Sequence, residues 1–180
     1  MTWFWTADLH LEHPAIIKHC NRPFGSVLEM NITLMENWNR RVGKNDIVVV
    51  LGDFCWSTDR KYVNTMFINR LNGSKIFVKG NHDYWLSEKR HMYNKKFGDF
   101  KVYGSHYALR SWPSGFNFHG HSHGMLMPFY NQIDVGVDCH NFTPISFEEA
   151  REIILSRTEG DYIKQEDYHV TDQKSDARVA

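Results

Sequence analysis

Residues 75–83 read Lys-Ile-Phe-Val-Lys-Gly-Asn-His-Asp, and this stretch constrains the fold more than any other in the chain. Its first half, residues 75–79, is a short run that stops abruptly at polar residues, as a buried strand feeding a loop does. Four specified residues in the order of Gly80 to Asp83 arise by chance in only about one chain of this length in a thousand. The sequence therefore predicts a strand that leads into a functional loop.

The side chains of this loop have different predicted roles. Asn81 offers a neutral carbonyl oxygen to a hard or borderline cation. His82 is its neighbour and must point elsewhere, so we expect it to face the substrate. Asp83 either orients His82 or caps a helix that begins near Tyr84, and both interpretations stay open.

Two earlier runs end in the same way. Residues 3–6 and 46–51 are aromatic or β-branched and stop at polar residues. Residues 28–42 carry apolar side chains at spacings of three and four, and residues 62–71 suggest another helix. Strand and helix alternate, which predicts an α/β fold.

Asp8-Leu9-His10 and Gly52-Asp53 follow those two runs. In extended chain Asp8 and His10 would project to the same side and bind one ion, although alone they also fit a surface Asp beside a half-buried His. Asp53 lies at the carboxyl end of a buried strand, where open α/β sheets place their ligands. Its carboxylate could bridge cations about 3.5–4 Å apart, or it could cap the next loop.

Histidine is over-represented, with 11 in the chain. His121 and His123 form an H-x-H pair in predicted extended chain, flanked by glycines that let the backbone approach a site closely. His106 follows a short strand from Phe100, although a lone His of this kind is often structural. His13 has no predicted partner. Because imidazole suits transition metals, these motifs predict a metal site.

The blocks D-x-H, G-D, G-N-H-D, H and G-H-x-H occur in an order that resembles the calcineurin-like metallophosphoesterase superfamily. The resemblance runs from Trp3 to about Ile153. Residues 19–24, 105–107 and 136–138 resemble the small bacterial and phage branch, and no cap domain is obvious. The resemblance implies an α/β fold in which two β-sheets pack face to face as a sandwich flanked by helices, in αββα layers.

The resemblance also implies two divalent cations, either Mn, Fe, Zn, Ni or Co, with Mn favoured. One ion would be held by Asp8, His10, Asp53 and His123, and the other by Asp53, Asn81, His106 and His121. Asp53 is then the bridging ligand. The implied catalytic residues are Asp53, Asn81 and His82. Asn81 and His82 would also contact substrate, joined by Arg22 unless Arg22 is a surface side chain.

Two departures from the family pattern affect these expectations. Only 22 residues separate Asp83 from His106, where relatives fit a helix and a hairpin. If a strand is missing, the second sheet is trimmed, and His91 or His119 could replace His106. The residues after Asp53 also lack the acidic and arginine side chains of the protein-phosphatase branch, which disfavours a phosphoprotein substrate. Trp56, Trp85 and Trp112 either line the site or pack in the core or its rim.

The predicted function is hydrolysis of a phosphomonoester or phosphodiester by a metal-bridged hydroxide, with His82 protonating the leaving oxygen. One alternative is a metal-depleted, non-catalytic interaction scaffold of the same fold, and another is a nuclease of the same superfamily. Lys plus Arg equals Asp plus Glu at 21 each, so nucleic acid is not favoured and a small phosphate ester is. The oligomeric state is not predicted.

One domain over residues 1–156 is expected, followed by a polar tail or edge element over residues 157–180, with a candidate strand at 168–170. Ser146 to Glu149 form a capping box for a helix that runs to about Ser156. The three cysteines lack a C-x-x-C pair. With no signal peptide and no apolar stretch of about 18 residues, a cytoplasmic protein without a membrane span is predicted.

Overall fold

Two four-stranded sheets face each other in the computed structural model, which describes residues 1–158 and 160–164. The first sheet has the order β3-β2-β1-β8 and consists of β1 (Trp3–Thr6), β2 (Ile47–Leu51), β3 (Ser74–Val78) and β8 (Ile145–Ser146). The second runs in chain order through β4 (Met92–Phe97), β5 (Phe100–Ser105), β6 (Phe116–His119) and β7 (Gln132–Asp134). Strands β1, β2 and β3 are parallel, so their carboxyl ends lie at one edge.

In the described part of the chain, four α-helices and two short 3-10 helices lie between or after the strands. They are α1 (Pro14–His19), α2 (Val27–Arg41), α3 (Arg60–Met66), α4 (Phe147–Leu155) and the 3-10 segments Ile68–Arg70 and Val137–Cys139. Each of the last three α-helices begins at a side-chain cap: Ser26 accepts from Glu29 N, Asp59 from Tyr62 N, and Ser146 from Glu149 N. Such caps satisfy backbone N–H groups that have no partner within the helix.

Strand β2 separates two apolar clusters. Val48 and Val50 point toward α1, α2 and α3, where they pack in one cluster with Trp38. Val49 and Leu51 point the other way, into the cluster between the sheets that also contains Phe147 of α4. Burial on both faces explains why residues 48–51 are continuously hydrophobic rather than alternating.

These observations confirm the predicted fold class, an α/β protein with two β-sheets flanked by helices. No strand is lost before His106, so the second sheet is not trimmed: β4 and β5 pair as a full antiparallel hairpin within this short interval. What is missing there is the helix: no helix starts near Tyr84, and residues 81–85 form turns. The 62–71 helix is also shorter than predicted, since α3 ends at Met66 and a 3-10 turn follows.

Residues after α4 pack back on the domain as far as they are described. Arg157 donates to the carbonyl oxygens of Phe129, Tyr130 and Gln132, and Ile163 forms a parallel bridge with Phe129. The candidate strand at 168–170 lies outside the described residues, and the predicted domain boundary after residue 156 stays a prediction. Within residues 1–158 and 160–164, no helix is both long and apolar enough to span a membrane.

Candidate metal centre

The seven predicted ligands come together at the edge where the parallel strands end. Strands β1, β2 and β3 lead into Asp8, Asp53 and Asn81, while β5 leads into His106 and the loop after β6 carries the H-x-H pair. Both sheets therefore contribute side chains to one site, as expected at the carboxyl ends of strands in an α/β fold.

Six of the seven predicted ligands fall into two groups. Asp8, His10 and His123 form one, and Asp53, His106 and His121 form the other, with the ligand atoms of each group within 4.8 Å of one another. Asp53 Oδ2 lies 3.5 Å from Nε2 of both His10 and His106. Metal bonds of about 2.0–2.2 Å place neighbouring ligand atoms roughly 3–3.5 Å apart. Asp53 is therefore placed where one carboxylate can serve both groups.

Two buried polar atoms in the site fit a cation and have no other evident use. Asp8 Oδ1 and His10 Nε2 are buried and have no hydrogen-bond partner within the described part of the chain. Buried polar atoms are nearly always hydrogen-bonded, because removing them from water without a partner is costly. A carboxylate oxygen and an imidazole lone pair are both ligands for divalent transition metals, so the donor set fits such an ion.

Histidine tautomers in the site are set by carbonyl and carboxylate acceptors. His106 Nδ1 donates to Leu51 O at 2.8 Å, which leaves Nε2 of the same ring free to bind a metal. This Nε2 lies 2.8 Å from Asn81 Oδ1. His123 Nδ1 donates to Asp138 Oδ2 at 2.7 Å and likewise leaves Nε2. Fixing the second ring nitrogen in this way is the usual support for a metal-binding imidazole.

The backbone of the ligand loops differs from the sequence prediction. Asp8, His10, Asp53, His121 and His123 all have positive φ, between 47° and 67°, so neither the D-x-H nor the H-x-H pair is extended. The left-handed conformation turns the chain sharply at each ligand, and it costs a non-glycine residue about 1–3 kcal/mol. Such strain collects at functional sites that the surrounding structure holds in place.

Two glycines allow the ligand loops to approach each other. A Cβ at Gly80 would lie 2.1 Å from Asp53 Oδ1, and one at Gly120 would lie 2.6 Å from Asp8 Oδ2. Each contact is far closer than a carbon and an oxygen can tolerate. Gly80 of the G-N-H-D block and Gly120 of the G-H-x-H block are thus required because a side chain at either position would collide with a carboxylate of the site.

Burial and neighbouring charges separate the pKa values of the two carboxylates. Burial raises the pKa of Asp8 to about 7, against the opposing effect of His123 and His106. Burial also acts to raise the pKa of Asp53, but the hydrogen bond and charge of His106 outweigh it and hold the pKa at about 2. Asp53 is therefore the permanent anion of the site. Burial lowers the pKa of His10 to about 3, which keeps its imidazole neutral.

Asp83 has a role that neither prediction for it described. Its carboxylate accepts from the backbone N–H groups of Asp53 at 2.7 Å, Phe54 at 2.8 Å and Gly80 at 2.9 Å, and from Trp85 Nε1 at 3.1 Å. It therefore ties the loop after β2 to the loop after β3 and neither orients the His82 ring nor caps a helix. Trp85 is buried beside it in the core.

Neither predicted use of Arg22 fits its position. The residue is 5% exposed, and its guanidinium donates to both carboxylate oxygens of Asp138 at 2.8 Å and to Asp8 O at 2.7 Å and Leu9 O at 3.0 Å. With its donors occupied, Arg22 is neither a surface residue nor available to substrate. It holds Asp138, which holds His123. Asp138 was not predicted, although it stands in the 136–138 block.

The alternative histidines do not replace His106. His91 is exposed just before β4, and His119 is buried with Nδ1 donating to Gly120 O, outside both ligand groups. His106 itself is 2% exposed.

A cleft of about 400 Å³ opens onto the ligands, and it is lined by His10, His13, Ile16, His19, Asp53, Trp56, His82, His121 and His123. Trp56 thus lines the site, which was one of the two alternatives for this residue. Trp112 instead donates to Gly115 O and packs near Phe129. His13 was missed because no motif includes it.

Comparisons with known proteins identify a family and relatives that match most of the chain. The calcineurin-like phosphoesterase family matches residues 1–173. The uncharacterized protein MJ1445 of Methanocaldococcus jannaschii is 38% identical over 151 residues, covering 79% of this chain and 85% of that protein. The gene 66 protein of Mycobacterium phage D29 is 27% identical over an aligned length of 202 residues, covering 88% of this chain and 98% of that protein.

Similarity to a solved structure concerns the fold alone. The protein of unknown function AQ665 from Aquifex aeolicus superposes with a TM-score of 0.66 at 20% identity, covering 84% of this chain and 98% of that chain. The family match spans nearly the whole chain, and the blocks that carry it meet in one site. Residues 1–158 and 160–164 include no cap domain. The chain belongs to the calcineurin-like phosphoesterase family of metal-dependent phosphoester hydrolases.

Proposed function

We propose that the protein hydrolyses a small phosphomonoester or phosphodiester with two divalent cations. The position of Asp53 Oδ2, 3.5 Å from the Nε2 atoms of both His10 and His106, carries this proposal. A carboxylate shared between two groups of ligands is the arrangement that a pair of ions about 3.5–4 Å apart requires.

Each ion has a set of four ligands drawn from both sheets. Asp8, His10, Asp53 and His123 would hold one, and Asp53, Asn81, His106 and His121 the other. A mixture of imidazole, carboxylate and amide ligands suits Mn, Fe, Zn, Ni or Co, and we favour Mn. Such ions attract phosphate, polarise it and lower the pKa of a bound water molecule.

The ligand charges favour binding of an anion. Asp8 and Asp53 contribute two negative charges against four positive ones, and the histidine and asparagine ligands are neutral when they bind a metal. The site therefore keeps a net positive charge. The cleft of about 400 Å³ is the size of a small-molecule site, and the equal numbers of acidic and basic residues provide no broad field for a nucleic acid.

His82 is the proposed proton donor to the leaving oxygen. Its backbone N–H donates to Asp53 Oδ1 at 2.9 Å, which fixes the residue beside the bridging carboxylate. Its side chain is 31% exposed and lines the cleft, with Nε2 4.0 Å from Asp53 Oδ2. An imidazole that faces substrate from beside the ligands can donate a proton without itself holding a metal.

Metal content and turnover measured together test the proposal. We expect about two transition metals per chain after saturation with Mn and removal of loosely bound ions, and Mn-dependent hydrolysis of at least one ester in a panel of phosphomonoesters, cyclic nucleotides and linear diesters. His91→Ala is a matched control for ligand variants, because His91 is exposed outside the site.

Three results would count against the proposal in different ways. A metal content near zero would favour the interaction scaffold. A content near one would show that one ligand set is wrong. Turnover restricted to oligonucleotides and strongly suppressed by salt would favour the nuclease.

A further inference from the structure

His13 lines the cleft beside the predicted ligands, and its ring is held from two directions. The ring stacks on Trp56 with centroids 4.0 Å apart and an interplanar angle of 11°. Its Nδ1 lies 3.3 Å from Nδ1 of His10. His13 also immediately precedes α1, where Pro14 restricts the backbone. An imidazole constrained in this way has a fixed direction for its remaining nitrogen.

The contact with His10 determines which nitrogen of His13 carries the proton. His10 Nε2 faces Asp53 Oδ2 and must keep a free lone pair to bind a cation, so the proton of this ring is on Nδ1. That N–H can only donate to His13 Nδ1 if the latter is unprotonated. The proton of His13 is then on Nε2, where it is available as a donor.

His13 lines the cleft, and its Nε2 has no hydrogen bond within the described part of the chain. The ring centroids of His13 and His82 are 6.1 Å apart, and each lies near Trp56, at 4.0 Å and 4.6 Å. His13 and His82 therefore both lie next to Trp56, and all three side chains line the same cleft.

We propose that His13 is a further substrate-binding residue, whose Nε2–H donates a hydrogen bond to a phosphoryl oxygen while its Nδ1 accepts from His10. The inference rests on the proposed function for the orientation of His10 and for the presence of a phosphoryl group. A phosphoryl oxygen only accepts hydrogen bonds, so it matches a donor that has no protein acceptor. Trp56 is the positioning residue, because its stacking holds the ring in place before substrate arrives.

Two substitutions separate the two nitrogens of His13. In His13→Gln the side-chain amide nitrogen reaches the position of Nε2, so the donor to phosphate is retained and the link to His10 is lost. In His13→Asn the amide overlays the Nδ1 side of the ring, so the acceptor for His10 is retained and the donor to phosphate is lost. His91→Ala serves as the control.

Inorganic phosphate titrated calorimetrically into the Mn-saturated holoprotein is the decisive measurement. A hydrogen bond to a charged group corresponds to a loss of roughly 10- to 100-fold in affinity when its donor is removed. We expect His13→Asn to lose this much with its metal content unchanged, and His13→Gln to remain within about threefold of the wild type. Unfolding midpoints of the variants, measured in parallel, report any structural damage.

Several outcomes would overturn the inference, and they differ from failure of the proposed function. Equal phosphate affinity in His13→Asn and the wild type refutes the contact. Equal losses in both variants, accompanied by loss of metal, show that His13 acts only through His10. If the wild type binds no phosphate, the inference falls as well. If phosphate binding depends on His13 as expected but no ester is hydrolysed, the inference stands and the proposed function fails.

Discussion

Replacing Arg22 by Met is expected to destabilise the protein strongly, because the buried guanidinium is surrounded by groups that accept hydrogen bonds. It donates to both oxygens of Asp138 and to the carbonyls of Asp8 and Leu9. Met is of similar length but donates nothing. The Asp138 carboxylate, with a side chain only 10% exposed, would lose its cation. Breaking a buried ion pair by removing one partner costs about 3–5 kcal/mol.

Urea denaturation of the metal-free proteins measures this loss without a contribution from metal binding. Thermal unfolding of the same proteins gives a second measurement. In a chain of this size each kcal/mol shifts the melting temperature by about 2–4 °C, so the melting temperature of Arg22→Met should be lower by roughly 6–20 °C. Arg22→Lys keeps the positive charge but loses the planar guanidinium that donates to both Asp138 oxygens. Its stability should therefore lie between those of the wild type and Arg22→Met. In the double variant Arg22→Met/Asp138→Leu, part of the loss should be recovered, because no unpaired charge remains.

The same pair should also affect the metals, because Asp138 accepts from His123 Nδ1. Asp138→Asn is expected to lower metal affinity by about 10- to 100-fold, because a metal-binding imidazole that loses its hydrogen-bond partner typically binds metal that much more weakly. Competition with a chelator measures this affinity. An Arg22→Met loss below about 1 kcal/mol would refute the reasoning, since the pair would then contribute no more than a surface ion pair.

Three further predictions concern single side chains. Asp53→Ala should lower metal content and turnover more than His106→Ala, because it removes a ligand from both ions; near-normal turnover in the Asp53 variant would contradict the bridging assignment. His82→Ala should keep its metals and lose about 10²–10⁴-fold in rate with alkyl esters but little with nitrophenyl esters, whose leaving groups need no proton; equal slowing of both would argue against proton donation. Burial opposes ionisation of Glu149, but its hydrogen bonds to Arg41 and Ser146 prevail and lower its pKa to about 2, so its stabilising effect is present above pH 4.5 and disappears as the pH falls through 2. Glu149→Gln should therefore cost about 1 kcal/mol or less at pH 7, since both side chains of the pair are more than a third exposed, and clearly less at pH 2, as chemical denaturation at the two pH values would show.

The sequence predicted which candidate ligands lie close together, because these residues follow the ends of strands. Parallel strands bring their carboxyl ends to one edge, so Asp8, Asp53 and Asn81 had to be neighbours once β1, β2 and β3 were recognised. Helix α2 was also close to its predicted bounds, since its apolar spacing is a local signal. Both inferences depended on residues near each other in the chain.

Features that depend on distant or weak signals were missed. Arg22 and Asp138 are 116 positions apart, so no local pattern links them. The hairpin strand β4 alternates between exposed and half-buried residues and contains Asn94 and two lysines, which gives it little of the apolar character by which the other strands were recognised. The left-handed backbone at Asp8 could not be inferred from a D-x-H pattern, because the conformation is imposed by the tertiary contacts of the loop.

The two ligand groups have a mechanical consequence for the sandwich. Each combines side chains from both sheets, with Asp8 or Asp53 on one side and His123 or His106 on the other. An ion bound by either group would cross-link the sheets between segments that are far apart in the chain, as the hydrogen bond from His121 N to Asp8 Oδ2 already does across 113 positions. Closing so long a loop restricts the unfolded chain, as a disulfide would. The three cysteines are free, so the metals would act as removable staples whose strength depends on metal supply rather than on redox conditions.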